Sequence, residues 1–328
     1  MGVKFLNGYF THNCSKCAIH KMDIEQWKDK TIVIDISIYL YKFLTDGCYM
    51  EQLYLFLSTF KYNCINAIFV FDGKPPPEKW PLLQQRYEEK KRAQDKYDEL
   101  QTMLTDLSGN LYETTVMKLN ELRKKMVKIR PENIHDAKQL MTAFGFVYLE
   151  APCEADMVCA YMVREGHAWA CLSEDMDMFL LGCPRILRNM SMLEHTWTLY
   201  HTDTILNELN LTLKSLVEII VLSGSDYTPG TKKTLPPVKS LKYILDAYRS
   251  KIEGEATDVY EFYSHLYSNE QIMNEESFEK YCNLFEMHIL QELLEPIPAI
   301  YNQKNDEVKL NIQEIHKIME PHGFIFIQ

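Results

Sequence analysis

The stretch TIVIDI, residues 31–36, decides how this chain is read. It is a short β-branched run, the composition that packs best as a buried strand. Asp35 is the exception, since a carboxylate inside an apolar run wants a partner. A second run, AIFVF at 67–71, has the same character and is followed at once by Asp72. Residues 146–149 and 168–172 are weaker strand candidates. Helical periodicity fills the intervals, over 133–144 up to Gly145 and over 154–164 shortly before Gly166. A glycine just past such a run stops a helix. Strands alternating with helices predict an α/β fold, a mostly parallel central sheet wrapped by helices.

The carboxylates follow the strands. Asp35 ends the first run and Asp72 follows the second. Glu154 and Asp156 (APCEAD) follow the third, and Asp175 and Asp177 (SEDMD) follow the fourth. Asp226 (GSDY) follows the run EIIVL, read as a helix end. Ligands of open α/β sheets bind outside the carboxyl ends of the strands, so four clusters point at one edge. Singly, each has a bland reading: a solvated loop for Asp175-Met-Asp177, a turn for Asp72-Gly73, a favourable helix N-terminus for Glu154 and Asp156. Together they would repel and raise one another's pKa. Divalent cations relieve that repulsion. Mg²⁺ takes oxygen ligands and keeps several waters, and two ions ~3.5–4 Å apart form the usual clamp for phosphodiester cleavage.

Residues 78–130 differ from the rest. They are charged and helix-prone, with a turn at Ser108-Gly109-Asn110, and read as two helices standing away from the sheet. Residues 116–130 hold Lys118, Arg123, Lys124, Lys125, Lys128 and Arg130 against one acid, Glu121. A charge run of this kind is ordinarily a solvated face. Residues 251–328 are mostly helical in pattern and carry no chemical motif. The composition, 46% hydrophobic and 25% charged over 328 residues, is globular and excludes disorder as the main state. The net charge of −11 argues mildly against nucleic-acid binding, but acids and bases lie in different places. No apolar run approaches the ~20 residues of a membrane span, and no secretion signal is evident. An intracellular protein (nuclear, or cytoplasmic if from a cytoplasmic DNA virus) with nine reduced cysteines is the expectation. His12, Cys14, Cys17 and His20 read as a loop with free thiols; a zinc site is the alternative, though so tight a spacing strains tetrahedral geometry.

Taken in order, MGVKFL, VIDISIYLYKF, VFDGKPP, LEAPCEAD, SEDMD and LSGSDY resemble the flap endonucleases. These are structure-specific 5′ nucleases related to the repair nuclease defective in xeroderma pigmentosum group G. The resemblance covers about residues 1–250 and implies a PIN-like nuclease domain there, with 251–328 as a helical extension. It implies a two-metal site for Mg²⁺, with Mn²⁺ able to substitute, on Asp35, Asp72, Glu154, Asp156, Asp175, Asp177 and Asp226. The family usually has Glu where Asp156 stands, a change that keeps the charge and shortens the reach. Lys79 and Arg86 match the family's Lys and Arg that reach the scissile phosphate, where they stabilise charge on the phosphoryl oxygens. Tyr41 matches an aromatic that stacks the base next to the cut, with Tyr39 beside it competing for that role. Gly2 would let the backbone approach nucleic acid closely. The helices at 78–130 match an arch through which a 5′ strand threads, which turns Lys118, Arg123, Lys124, Lys125 and Lys128 into a phosphate track.

Three departures accompany the match. The loop after Tyr41 and Phe43 looks shortened, which puts double-flap preference in doubt. The helix–hairpin–helix expected at 213–250 is degenerate: Pro236 and Pro237 lack N–H donors, so Lys232, Lys233 and Lys239 would hold duplex DNA by charge. No sliding-clamp box is recognisable. The expected activity is Mg²⁺-dependent cleavage of branched or nicked DNA bearing a 5′ flap or 5′ end, in replication, recombination or repair, with no membrane partner. Cleavage of RNA on the same scaffold and non-catalytic nucleic-acid binding are the alternatives.

Overall fold

A computed structural model describes residues 3, 5–104, 109–223, 237–252, 258–266, 274–287, 291–307 and 309–326, without the side chains of 237–240, 252, 263–266 and 306–307. The strands are β1 (Ile19–Asp23), β2 (Thr31–Asp35), β3 (Asn66–Phe71), β4 (Val147–Glu150), β5 (Ala170–Leu172), β6 (Arg185–Ser191) and β7 (Thr196–His201). They form a sheet ordered β1-β7-β6-β5-β2-β3-β4. Strands β6, β5, β2, β3 and β4 pair in parallel, while β7 and β1 are added antiparallel at one side. The four strands read from sequence are present and parallel. The sequence reading missed β1, β6 and β7. Their alternation is interrupted by charges, by a register shift between Arg188 and Ser191, and by left-handed backbone at Asn189 and His195.

The helices are α1 (Leu6–Asn13), α2 (Ile36–Asp46), α3 (Tyr49–Tyr62), α4 (Trp80–Met103), α5 (Gly109–Met126), α6 (Pro131–Ala143), α7 (Ala155–Arg164), α8 (Asp177–Leu180), α9 (Thr202–Leu209), α10 (Leu213–Ser223), α11 (Pro237–Ile252), α12 (Val259–Leu266), α13 (Glu275–Asn283), α14 (Gln291–Leu294), α15 (Ile297–Glu307) and α16 (Ile312–Met319). Successive residues of β2 face opposite layers, as the two-residue period of a strand requires. Ile32 and Ile34 pack with α2, α3 and α6, whereas Val33 packs with α1 and with α7 to α11. The C-terminal helices close both layers. Phe262, Phe278, Phe285 and Ile297 join the second cluster, and Ile315 and Met319 join the first. Gly145 ends α6 at φ +72°, in the left-handed region that glycine adopts without strain.

Helices α4 and α5 pack on each other and bury little; Ala93, Thr115 and Leu119 are their buried residues. Two helices are expected over 78–130, and α4 and α5 occupy most of that span. Between α2 and α3 lie two residues, Gly47 and Cys48, so the link after Tyr41 is short. Among the described residues no helix is long and apolar enough to cross a membrane.

Candidate active site

Parallel pairing brings the carboxyl ends of β2, β3, β4 and β5 to one edge, and the acids stand there. Asp35 is the last residue of β2 and caps α2, accepting the Ser37 N–H at 3.2 Å. Asp72 follows β3 and accepts the Ala155 N–H at 3.0 Å, which ties that strand to the start of α7. Glu154 occupies the N-cap position of α7 and Asp156 its first turn. Asp175 follows β5, and its carboxylate accepts the Asp177 N–H at 3.1 Å.

Gly73 makes the approach of these loops feasible. Its N–H donates to the Cys153 carbonyl at 2.8 Å. A Cβ at Gly73 would run into the Ala151 carbonyl oxygen and lie 2.6 Å from that of Cys153. Both obstacles are backbone, so the loops carrying Asp72 and Glu154 would have to part. Gly73→Ala is expected to cost about 1–3 kcal/mol of stability and about 10²-fold in turnover through misplacement of the acids. Thermal melts and single-turnover rates check this; wild-type values in both would contradict it.

Asp35, Asp72, Glu154, Asp156 and Asp175 line one cavity of about 900 Å³. Asp177 is buried behind them. Burial, and then the charges of Asp72, Asp156 and Asp175, push the Asp35 carboxyl well above the usual range. Asp156 is pushed up to about 8 by burial and by Glu154, with Lys79 acting in the opposite sense. The other side of the same cavity is basic, formed by Lys79, Arg86, Lys90, Lys125 and Lys128. Lys79 is the N-cap residue of α4 and forms an ion pair with Glu154. Burial alone would lower its pKa, but the carboxylates of Glu154, Asp156 and Asp177 raise it further, so it is a firm cation. Lys90 is lowered by burial and then by the neighbouring charges of Lys128 and Arg86.

Tyr41 and Tyr39 separate cleanly. Tyr41 lines the cavity beneath the Lys90 ammonium, 5.2 Å from its ring centroid. Tyr39 is core, stacked on Phe56 at 4.8 Å. Lys118, Arg123 and Lys124 are exposed on α5 and are not among the lining residues. Gly2, Asp226, Lys232 and Lys233 lie outside the described residues, as does the side chain of Lys239.

Among the described residues His12, Cys14, Cys17 and His20 do not come together as a metal-holding group. His20 stacks on His201 at 5.8 Å, and Cys17 is exposed. Among the described residues no three His, Cys, Asp or Glu side chains form a ready cation cage. Structural zinc needs such a closed cage. Mg²⁺ does not: it keeps several waters and binds through one or two carboxylates together with substrate phosphate. The oxygen-rich, strongly anionic wall of the cavity fits that demand.

The sequence reading missed two residues here. Lys90 was findable, since it lies four residues beyond Arg86 on one helix and so shares its face. Arg188 gave no signal. It is buried on β6 and donates to the Glu174 carbonyl at 2.9 Å, to the Met176 sulfur at 2.7 Å and to Asn7 Oδ1 at 2.9 Å. It thereby braces the loop that carries Asp175 from beneath.

Residues 1–94 match the family described as XPG N-terminal domain, and residues 145–226 match the XPG I-region. The chain is 31% identical over 252 residues to flap endonuclease 1 of Pyrococcus horikoshii, across 68% of this chain and 71% of that protein. It is 30% identical over 264 residues to flap endonuclease 1 of Hyperthermus butylicus, across 72% of each. A solved structure of the catalytic core of Rad2 in complex with DNA substrate superposes with a TM-score of 0.61 at 21% identity, across 98% of this chain and 96% of that one. At that identity the superposition speaks for a shared fold.

Proposed function

The chain belongs to the XPG-type flap endonuclease family, and we propose that it hydrolyses phosphodiester bonds of branched or nicked DNA next to a 5′ flap or 5′ end. The observation that carries this reading is the single cavity with carboxylates on one side and arch cations on the other. All of its lining residues lie within 1–250, the stretch we assign as the nuclease domain, with 251–328 as its helical extension.

Asp35, Asp72, Glu154, Asp156, Asp175 and Asp177 would hold two Mg²⁺ ions, with Asp226 as a seventh ligand by family resemblance. Bound there, the ions would supply an activated water and charge neutralisation at the leaving oxygen. The chain's own residues do the rest. Lys79 and Arg86 present positive charge to the phosphoryl oxygens as negative charge builds on them. Tyr41 offers a ring face to a neighbouring base, a contact every base can make. Lys90, Lys125 and Lys128 hold the strand by its phosphates, so recognition follows backbone path and junction shape rather than sequence.

The raised carboxyls fix a pH dependence. Asp35 and Asp156 are above their ordinary range when folded and near it when unfolded. Between the two values the folded state binds more protons, so stability falls as pH rises. In chelator, these carboxyls withdraw stability from about pH 4, where unfolded carboxylates titrate, to about 8, the folded value of Asp156, so the melting temperature of Asp156→Asn is expected to climb relative to wild type across that window. Added Mg²⁺ should recover most at the high end. A wild-type melting temperature that keeps pace with that of Asp156→Asn across this window would contradict the arrangement.

The activity itself is tested with end-labelled single-flap, double-flap, nicked and single-stranded DNA in Mg²⁺, beside matched RNA flaps. Cleavage near the junction of flapped DNA supports the reading. Cleavage of RNA alone would move the substrate class, and silence on all of them would leave nucleic-acid binding without catalysis.

A further inference from the structure

Helix α4 carries large apolar side chains that its packing leaves exposed. Trp80 is 64% exposed, Tyr87 61% and Leu83 37%, while the buried residue of this helix is Ala93. At 3.6 residues per turn, positions 80, 83 and 87 fall within about 60° of one another. They form one strip about 10 Å long. Scattered exposed hydrophobics need no explanation, but a contiguous strip marks a contact surface.

The neighbours of the strip identify what it contacts. Arg86 and Lys90 lie about 40° apart on the adjoining strip of the same helix. Leu83, Tyr87, Arg86 and Lys90 all line the cavity that holds the acids. From the facing side, Lys128 places its ammonium 5.5 Å from the Tyr87 ring centroid. A cationic strip beside an aromatic strip matches the two edges of an unpaired nucleic-acid strand, phosphates on one side and bases on the other. An apolar protein partner would find five cations around this cavity, and a duplex hides its base faces inside the stack. Stacking on exposed rings tolerates any sequence, as a backbone-guided nuclease requires.

We infer that Trp80, Leu83 and Tyr87 form a base-stacking track for the unpaired 5′ strand, running beside the phosphate contacts of Arg86, Lys90 and Lys128. At about 3.4 Å per stacked nucleotide, the strip accommodates two or three bases beyond the one assigned to Tyr41. The inference rests on the nuclease reading for the identity of the strand, and it adds that the flap's bases, not only its phosphates, contribute to binding.

The test compares two hairpin duplexes in chelator, one with a 5′ thymidine tail and one with an abasic tail of equal length. Their phosphates are identical. Wild type should bind the thymidine tail about tenfold more tightly, the usual scale for one stacked base. Trp80→Ala and Tyr87→Ala should remove that preference while leaving abasic-tail affinity in place, and Tyr87→Phe should restore it. Quenching of tryptophan fluorescence by the thymidine tail should vanish in Trp80→Phe. Equal affinity of wild type for both tails would overturn the track, as would variants that weaken both tails alike. Self-association of the protein that depends on Trp80 and Tyr87 would overturn it too, by giving the strip to a second copy. Should wild type cut no DNA in Mg²⁺ yet keep a Tyr87-dependent base preference, the nuclease reading falls and the track stands.

Discussion

Asp156→Asn is expected to reduce cleavage roughly 10³-fold or more and, in chelator at neutral pH, to raise the melting temperature. The two effects have opposite signs for one reason. Asp156 is buried and its carboxyl is pushed up to about 8 by burial and by Glu154. Ionising it in the folded protein costs free energy that the unfolded chain does not meet, so the charge destabilises the fold over pH 4–8. Asparagine removes the charge, keeps the shape, and can still accept the Met157 N–H that now donates to Asp156 at 2.8 Å. A carboxylate kept for structure would do the reverse, and its loss would lower the melting temperature. Calorimetry in chelator beside single-turnover cleavage in Mg²⁺ reads both effects. Retained cleavage, or a lower melting temperature, would remove Asp156 from the site. Asp156→Glu, which restores the side-chain length usual in the family, should stay active.

Lys79→Ala is expected to lose on both counts. The ammonium is largely buried and is paired with the buried Glu154. Removing one donor that meets developing charge typically costs about 10²–10³-fold in kcat. It also leaves Glu154 among other acids without that counter-charge. A fully enclosed pair broken this way loses about 3–5 kcal/mol. This cavity opens to water, so roughly 2 kcal/mol is the expected figure. Lys79→Arg separates the two contributions: it keeps the charge and most of the stability, but places it differently and lowers kcat. Melts and steady-state kcat and KM on one flap substrate check the pair of variants. A kcat unchanged in Lys79→Ala would show that this cation only balances Glu154.

What the sequence disclosed depended on how local each signal was. β2 and β3 are continuous β-branched or aromatic runs, so they were legible, as were the acids that follow them. β6 and β7 were not, because RILRNMS and TWTLYH mix charge into a hairpin whose bulge breaks the alternation. At His12, Cys14, Cys17 and His20 the sequence reads as a loop with free thiols and leaves zinc as an alternative, because spacing alone does not say which way side chains turn. Pairing across the fold was invisible for the same reason. Lys79 and Glu154 are 75 residues apart, and Arg188 meets Asn7 across 181. The C-terminal helices gave no chemical motif because their task in the described structure is to cover both faces of the sheet.

On the proposed function, the carboxylates at the strand ends form a metal-dependent nuclease site. Its most direct test is single-turnover cleavage of an end-labelled 5′-flap DNA by wild type and by the Asp175→Ala/Asp177→Ala variant, each with Mg²⁺ and with chelator. Wild type should make one cut near the junction in Mg²⁺ and none in chelator, and the variant should make none even though it still binds the flap. Cleavage that persists in the variant or in chelator would contradict it.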